Sequence, residues 1–213
     1  MRGLERTVLG RSGHIITIDG IDAVGKQTQT LLLVARLKNN KMKTATLSFP
    51  DYETPIGKEI HSFLSGRRTF VPELRHMLFA ANRWEKAPLI DRYRESGKTV
   101  VINRYSESNI VYGAANGLDI EWLTALEEGL PKSDAVIVLD APVKGLLSRR
   151  GATRDSYEKN LRLQERAREL YKNLAPRFGW DVVDATGDRQ TVHKSIVEVL
   201  KKRMNLGARD RRR

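Results

Sequence analysis

The sequence predicts an α/β fold of three layers, a five-stranded parallel sheet with helices on both faces. Three observations carry that prediction. Short β-branched runs alternate along the chain with long segments of helical periodicity. Two of the runs, Lys98–Asn103 (KTVVIN) and Asp134–Asp140 (DAVIVLD), are apolar without alternation, as in strands buried on both faces. No repeat or low-complexity linker divides the 213 residues, so positions 1–213 read as a single domain.

Each element has its own reason. His14–Asp19 (HIITID) is the first strand, and Lys26–Asn39 places Leu31, Leu32, Val34, Ala35 and Leu37 at helical spacing. Lys43–Ser48 is the second strand. Pro72–Glu95 reads as a long helical stretch that must bend near Pro88, which has no amide hydrogen to donate. After the two apolar strands, Ser156–Phe178 is a heavily charged helix, Trp180–Asp184 a short fifth strand and Thr191–Asn205 a closing amphipathic helix. Open parallel sheets bind ligands beyond the carboxyl ends of their strands, and the motifs below fall there.

Composition narrows the partners. Lys+Arg 38 against Asp+Glu 26 gives a net charge of +12, which suits anionic ligands such as nucleotides or nucleic acid. Part of the excess is terminal (Arg2, Arg6 and Arg11; Arg209, Arg211, Arg212 and Arg213), and the segments of about 1–13 and 206–213 read as solvated basic tails. With no aromatic stacking platform, nucleic acid is not the expected partner. The absence of cysteine removes disulfides, thiol nucleophiles and thiolate metal sites. No apolar run approaches the roughly 18 residues of a membrane span, and Met1–Ser12 lacks the apolar stretch of a secretory signal. The expectation is a soluble, cytoplasmic protein with no membrane partner.

Directly after the first strand stands Gly20-Ile21-Asp22-Ala23-Val24-Gly25-Lys26, the G-x-x-x-x-G-K spacing of a P-loop. The glycines let successive amide N–H groups converge on a phosphate chain. The helix that follows adds the positive end of its dipole, and Lys26 adds a full charge for the β- and γ-phosphates. The position after the lysine, normally a Mg²⁺-binding hydroxyl, is Gln27; Thr28 follows about a hundred degrees further round the helix.

Several further stretches occur in the order found in one family: SFPDYETPIGKEI (48–60), LFAANRWEKAPLI (78–90), NRYSESNIVYGAANGL (103–118), GLPKSDAVIVLDAP (129–142) and YEKNLRLQERARELY (157–171). With DGIDAVGKQTQ (19–29), they make the chain from about His14 to Leu200 resemble the thymidylate kinases, P-loop enzymes that transfer the γ-phosphoryl group of ATP to dTMP, giving dTDP and ADP. The resemblance implies the P-loop NTPase fold, a short lid at about 148–156, MgATP as co-substrate and a homodimer. It places Gly20 through Thr28 against ATP, and Arg150 of the lid against the adenine. Phe79 would stack on thymine with Arg83, one turn on, bonding its edge. Phe49, Pro50, Tyr52 and Ser108 would frame the acceptor, Tyr112 would crowd the 2′ carbon of its sugar, and Gln164 would lie near the base. Asp22 would engage the 3′-hydroxyl and Arg104 the acceptor phosphate. Because the P-loop carries Ala23 where some members have a catalytic arginine, Arg154, or else Arg149, would supply it from the lid.

Three positions depart from the family pattern: Gln27, Asn103 in place of the aspartate before Arg104, and Tyr52 in place of a phosphate-gripping arginine. Asp19 and Asp140, at strand ends, are the candidates for a replacement metal carboxylate. The departures prompt a second reading, a nucleoside monophosphate kinase with a broader or different acceptor range. A third, a nucleotide- or nucleic-acid-binding protein with a non-catalytic P-loop, rests on charge alone.

Overall fold

Five strands form one parallel sheet in the order β2-β3-β1-β4-β5: β1 (Ile15–Gly20), β2 (Thr44–Ser48), β3 (Thr99–Asn103), β4 (Ala135–Asp140) and β5 (Asp181–Asp184). The structure is a computed structural model and describes residues 13–146 and 160–204. The helices are α1 (Lys26–Asn39), α2 (Pro55–Leu64), α3 (Pro72–Trp84), α4 (Ala87–Glu95), α5 (Ser106–Ala115), α6 (Ile120–Leu126), α7 (Val143–Leu146), α8 (Leu161–Phe178) and α9 (Arg189–Met204).

The unbroken apolar runs do what their pattern predicts. Ile15, Val100 and Ile102 turn to one face and pack on Ala87 and Ile90 of α4. Their neighbours Ile16, Ile18 and Val101 turn to the other and join Leu33, Val34 and Leu37 of α1 in the main core. Central β1 pairs Ile16 with Val101 on one side and Ala135 on the other, so the loop after Gly20 emerges at the middle of the sheet's carboxyl edge.

The structure corrects the sequence reading in several places. The helical stretch Pro72–Glu95 does not merely bend but divides into two helices. The ring of Pro88 would strike the carbonyl four residues back, that of Trp84, so α3 ends there; Pro88 then sits in the first turn of α4, where no amide hydrogen is required. Helices α2, α5 and α6 were not anticipated. Two of them carry local start signals: Thr54 Oγ1 accepts from Gly57 N (3.0 Å) ahead of Pro55, and Asp119 Oδ1 accepts from Trp122 N (2.8 Å). The lid segment and nearly all of both tails lie outside the described residues.

One close approach sets the entry to the site. The start of α2 lies against the loop after β2, and a Cβ on Gly57 would stand 1.8 Å from the carbonyl oxygen of Asp51. Asp51 is itself held by Asn82, whose Oδ1 accepts from Asp51 N (2.8 Å) and whose Nδ2 donates to Asp51 O (3.1 Å). Gly57→Ala is therefore expected to cost about 3 kcal/mol, since backbone and not a pliable side chain must move. A shift of the urea midpoint well below that size would show that the loop yields freely.

Candidate active site

The turn after β1 is a cradle. Gly25 caps α1 with φ 108, open to glycine, and Ala23 adopts the left-handed region at φ 62. Lys26 is buried beneath the turn, its Nζ donating to Gly20 O (3.0 Å) and Ile21 O (2.6 Å) and lying 3.9 Å from Asp22 Oδ1. Residues 22–29 line one side of a broad cleft; Ser48, Tyr52 and Asn103 line the opposite side. A third wall was not foreseen: Gly187, Asp188 and Arg189, after β5, close the cleft, held by Gln29 Nε2 on Arg189 O (2.9 Å). Their position past a strand's carboxyl end was the available signal.

Asp19, the last side chain of β1, is wholly buried. Its Oδ1 accepts from Gly20 N (2.8 Å), Ser108 Oγ (2.7 Å) and Tyr171 OH (2.7 Å), and its Oδ2 from Tyr105 N (3.4 Å). Arg104, left-handed at φ 62, reaches the same place: Nη1 donates to Ser108 Oγ (3.0 Å) and Gly20 O (3.3 Å) and lies 3.8 Å from Asp19 Oδ1, while Nη2 donates to Asp22 Oδ1. Burial works against the guanidinium charge, but Asp22, Tyr112, Tyr171 and Asp19 together hold its pKa well above the ordinary arginine value.

Beside the cleft lies a second, mostly apolar pocket. Phe79, Phe49, Pro50 and Leu64 line it, Arg83, His76 and Asn109 make its polar end, and Ser108 and Tyr112 its floor toward Arg104. His76, Phe79 and Arg83 occupy one face of α3 at i, i+3 and i+7. Arg83 is held by Glu127 through Nε to Oε2 (2.8 Å) and Nη2 to Oε1, a fork-to-fork pair. Asp22, Phe49, Pro50 and Arg104 line both this pocket and the cleft.

Several expected site residues have partners of their own. Gln164 does not line the pocket: its Oε1 accepts from Asp22 N (3.0 Å) and Tyr112 OH (3.1 Å), and its Nε2 donates to Asp22 Oδ2 (2.7 Å), so it braces the cradle. Asp140 takes a bidentate pair from Arg168 (2.6 and 2.8 Å) and lines neither pocket, and Asp19 is saturated by the donors above. Both carboxylates are thus engaged by protein donors. Tyr52 is exposed and edge-on to His61, with ring centroids 5.3 Å apart. Gln27 and Thr28 are exposed on the cleft wall. The lid arginines Arg149, Arg150 and Arg154 lie outside the described residues.

Such a cradle at the centre of a parallel sheet, with an apolar pocket sharing its wall, defines a P-loop nucleotide-binding protein. The family model for thymidylate kinase matches residues 18–196. The thymidylate kinase of Arabidopsis thaliana is 34% identical over 188 residues, which are 88% of this chain and 71% of that protein. That of Homo sapiens is 34% identical over 189 residues, 87% of this chain and 89% of its own. A solved thymidylate kinase from Candida albicans superposes with a TM-score of 0.81 at 27% identity, covering 91% of this chain and 93% of that one. The chain belongs to the thymidylate kinase family.

Two buried titratable groups make stability depend on pH. Glu107, in the first turn of α5, has its pKa pushed up to about 8 by burial and by the charges of Asp19 and Glu127. Its Oε2 has no hydrogen-bond partner among the described residues. The folded state thus keeps a proton that the unfolded chain releases near 4.5, and stability falls as pH rises from about 4.5 through 8. His76 acts in the opposite sense: burial lowers its pKa from 6.5 to about 4, so stability is lost as pH falls through that window. Above pH 6.5 only the glutamate effect remains. Glu107→Gln, shaped like the protonated acid, is expected to flatten the decline in melting temperature toward pH 8 and beyond. An unchanged slope would mean that Glu107 ionises normally.

Proposed function

We propose that the protein transfers the γ-phosphoryl group of ATP to dTMP, releasing ADP and dTDP. The shared wall of the two pockets carries the reading. A base seated on Phe79 and facing Arg83 directs its 5′-phosphate past Asp22 and Arg104 toward the cradle. An oxygen of that phosphate then bonds to the γ-phosphorus of ATP as the bond to the β,γ-bridging oxygen breaks. There is little covalent work for side chains in such a transfer, and positioning and charge dominate. Arg104 stabilises charge on the acceptor and transferring groups. Lys26 exchanges its loop carbonyls for the β- and γ-phosphates.

Arg83 offers N–H donors to a ring carbonyl and none of the acceptors that an exocyclic amine would need. Tyr112 crowds the sugar, and Asp22, aligned by Gln164, engages the 3′-hydroxyl. By the family resemblance, lid residue Arg154, with Arg149 as the alternative, would supply the catalytic arginine, and Arg150 would lie against the adenine. Among the described residues no cluster of three His, Asp or Glu side chains is built to hold a metal. Mg²⁺ would enter as MgATP, ligated chiefly by its phosphates, and Gln27 is the residue that would meet the ion or its water. The exposed apolar side of α3, with Val71, Leu74, Met77 and Trp84, supports a homodimer. A cytoplasmic location accords with nucleotide substrates; no helix among the described residues is long and apolar enough to cross a membrane.

The exposed Tyr52, in place of a phosphate-gripping arginine, leaves the acceptor range as the point to test; broad substrate specificity is named for the Candida albicans structure. ADP production with MgATP and a panel of dTMP, dUMP, dCMP, dGMP and dAMP tests it. Turnover led by dTMP is expected, with dUMP slower because one methyl group is worth about 1–3 kcal/mol. Lys26→Ala and Arg104→Ala should each lower kcat by about 10²–10³-fold. Comparable rates with purine acceptors would establish the wider range and discard the thymidylate assignment.

A further inference from the structure

The end of α2 builds a polar hollow outside both pockets described above. Gly66 takes the left-handed conformation (φ 77). Its N–H donates to Phe63 O (2.9 Å), and that of Arg67 donates to Ser62 O (2.9 Å). This Schellman closure reverses the chain after Ser65. Arg67 is thereby carried back over the last turn of α2, where its Nη2 donates to His61 Nδ1 (3.0 Å) and its Nε to Ser65 Oγ (3.0 Å). Lys58, His61 and Ser62 share one face of the helix at i, i+3 and i+4. With Tyr52, Glu53 and Arg67 they line a hollow of about 380 Å³.

The charges of this hollow are poorly matched. Arg68 is answered by Glu59 in an exposed ion pair (2.8 Å), but neither Lys58 nor Arg67 forms an ion pair among the described residues. Both partners of the Arg67 guanidinium are neutral. Arginine only donates, so His61 Nδ1 accepts, and the neutral ring then carries its hydrogen on Nε2 as a further donor. Two cations, an imidazole N–H and a serine hydroxyl thus meet a single carboxylate, Glu53. A phosphate group suits such a set, because its charged oxygens are stronger acceptors for Arg67 than either neutral partner. Tyr52 connects the hollow to the cleft: it lines both, and its ring stands edge-on to His61.

We propose that this hollow is a second phosphate-binding site, with Lys58, His61, Ser62 and Arg67 as its donors and Tyr52 as the partition between it and the cleft. Two sources carry that chemistry: inorganic phosphate held alone, or the terminal phosphate of a nucleoside triphosphate reaching across Tyr52. None of the four donors lines the cleft or the apolar pocket, so the site can be removed without altering either. The proposal stands whichever nucleotide is the acceptor.

The test follows the His61 ring of the full chain by NMR, at fixed pH and low ionic strength, where exposed charges are least screened. Inorganic phosphate and ATP are titrated separately, with chloride as the salt control, and His61→Asn identifies the signal among the four histidines. A saturating shift is expected with phosphate or ATP and none with chloride. Lys58→Gln and Arg67→Gln should each weaken that binding about fivefold, and Glu53→Gln, which removes the opposing charge, should tighten it about twofold. A phosphate shift that persists with ADP and dTMP at saturation identifies the free anion as the ligand. A shift produced by ATP alone, weakened by Lys58→Gln and abolished by ADP, identifies a nucleotide reaching over Tyr52. The site is overturned by a shift that never saturates, or by one with the same midpoint in wild type, Lys58→Gln and Arg67→Gln, since the anion would then lie in the cradle. Lys58→Gln, on the exposed face of α2, carries the test if Arg67→Gln disturbs the turn.

Discussion

A carboxylate buried where water cannot reach it must be satisfied by the protein, and Asp19 imposes that requirement on the whole site. Its donors come from the P-loop (Gly20 N), from the segment after β3 (Tyr105 N), from α5 (Ser108) and from α8 (Tyr171). Those contacts bring the donor-phosphate cradle and the acceptor wall to a common point at the centre of the sheet edge. Arg104 completes the arrangement, because a cation 3.8 Å from Asp19 offsets a charge that four neutral donors only partly stabilise.

Asp22 faces Arg104 directly, and Gln164 and Tyr112 keep the aspartate in place. On the proposed reading, an acceptor phosphate entering from the apolar pocket would bring stronger negative charge to the guanidinium, and Asp22 would then have a sugar hydroxyl within its reach. The chemistry is thus carried by preorganised charge, as expected where the protein contributes positioning and electrostatics to phosphoryl transfer. The apolar pocket, by contrast, depends on shape and on one buried ion pair, Arg83 with Glu127.

The parts legible in the sequence are those whose cause is local. The runs around Val100–Ile102 and Val136–Leu139 read as central strands because nothing in them suits water. Gly25-Lys26 reads as a cradle because its spacing is a property of the backbone. Phe79 and Arg83 share a helix face by periodicity alone, and both line the pocket. What escaped depends on partners far along the chain. Gln164 meets Asp22 from 142 residues away, and Glu127 meets Arg83 from 44; no local pattern announces either pair. Asp140 carries the right position for a metal ligand, but Arg168 lies on another element and occupies it. The break after Trp84 was present in the sequence, since the reach of Pro88 to the carbonyl four residues back determines where the helix must stop.

The central claim is that two nucleotides occupy pockets with a common wall at Asp22 and Arg104. A single molecule joining adenosine to thymidine through five phosphates tests it most directly, by titration calorimetry against ADP and dTMP alone. The account predicts one equivalent bound at least about 100-fold more tightly than either nucleotide, because the second contact becomes intramolecular. It also predicts displacement by both ADP and dTMP, with much of the gain lost in Arg104→Ala. Affinity no better than that of ADP, with dTMP unable to compete, would contradict the shared wall.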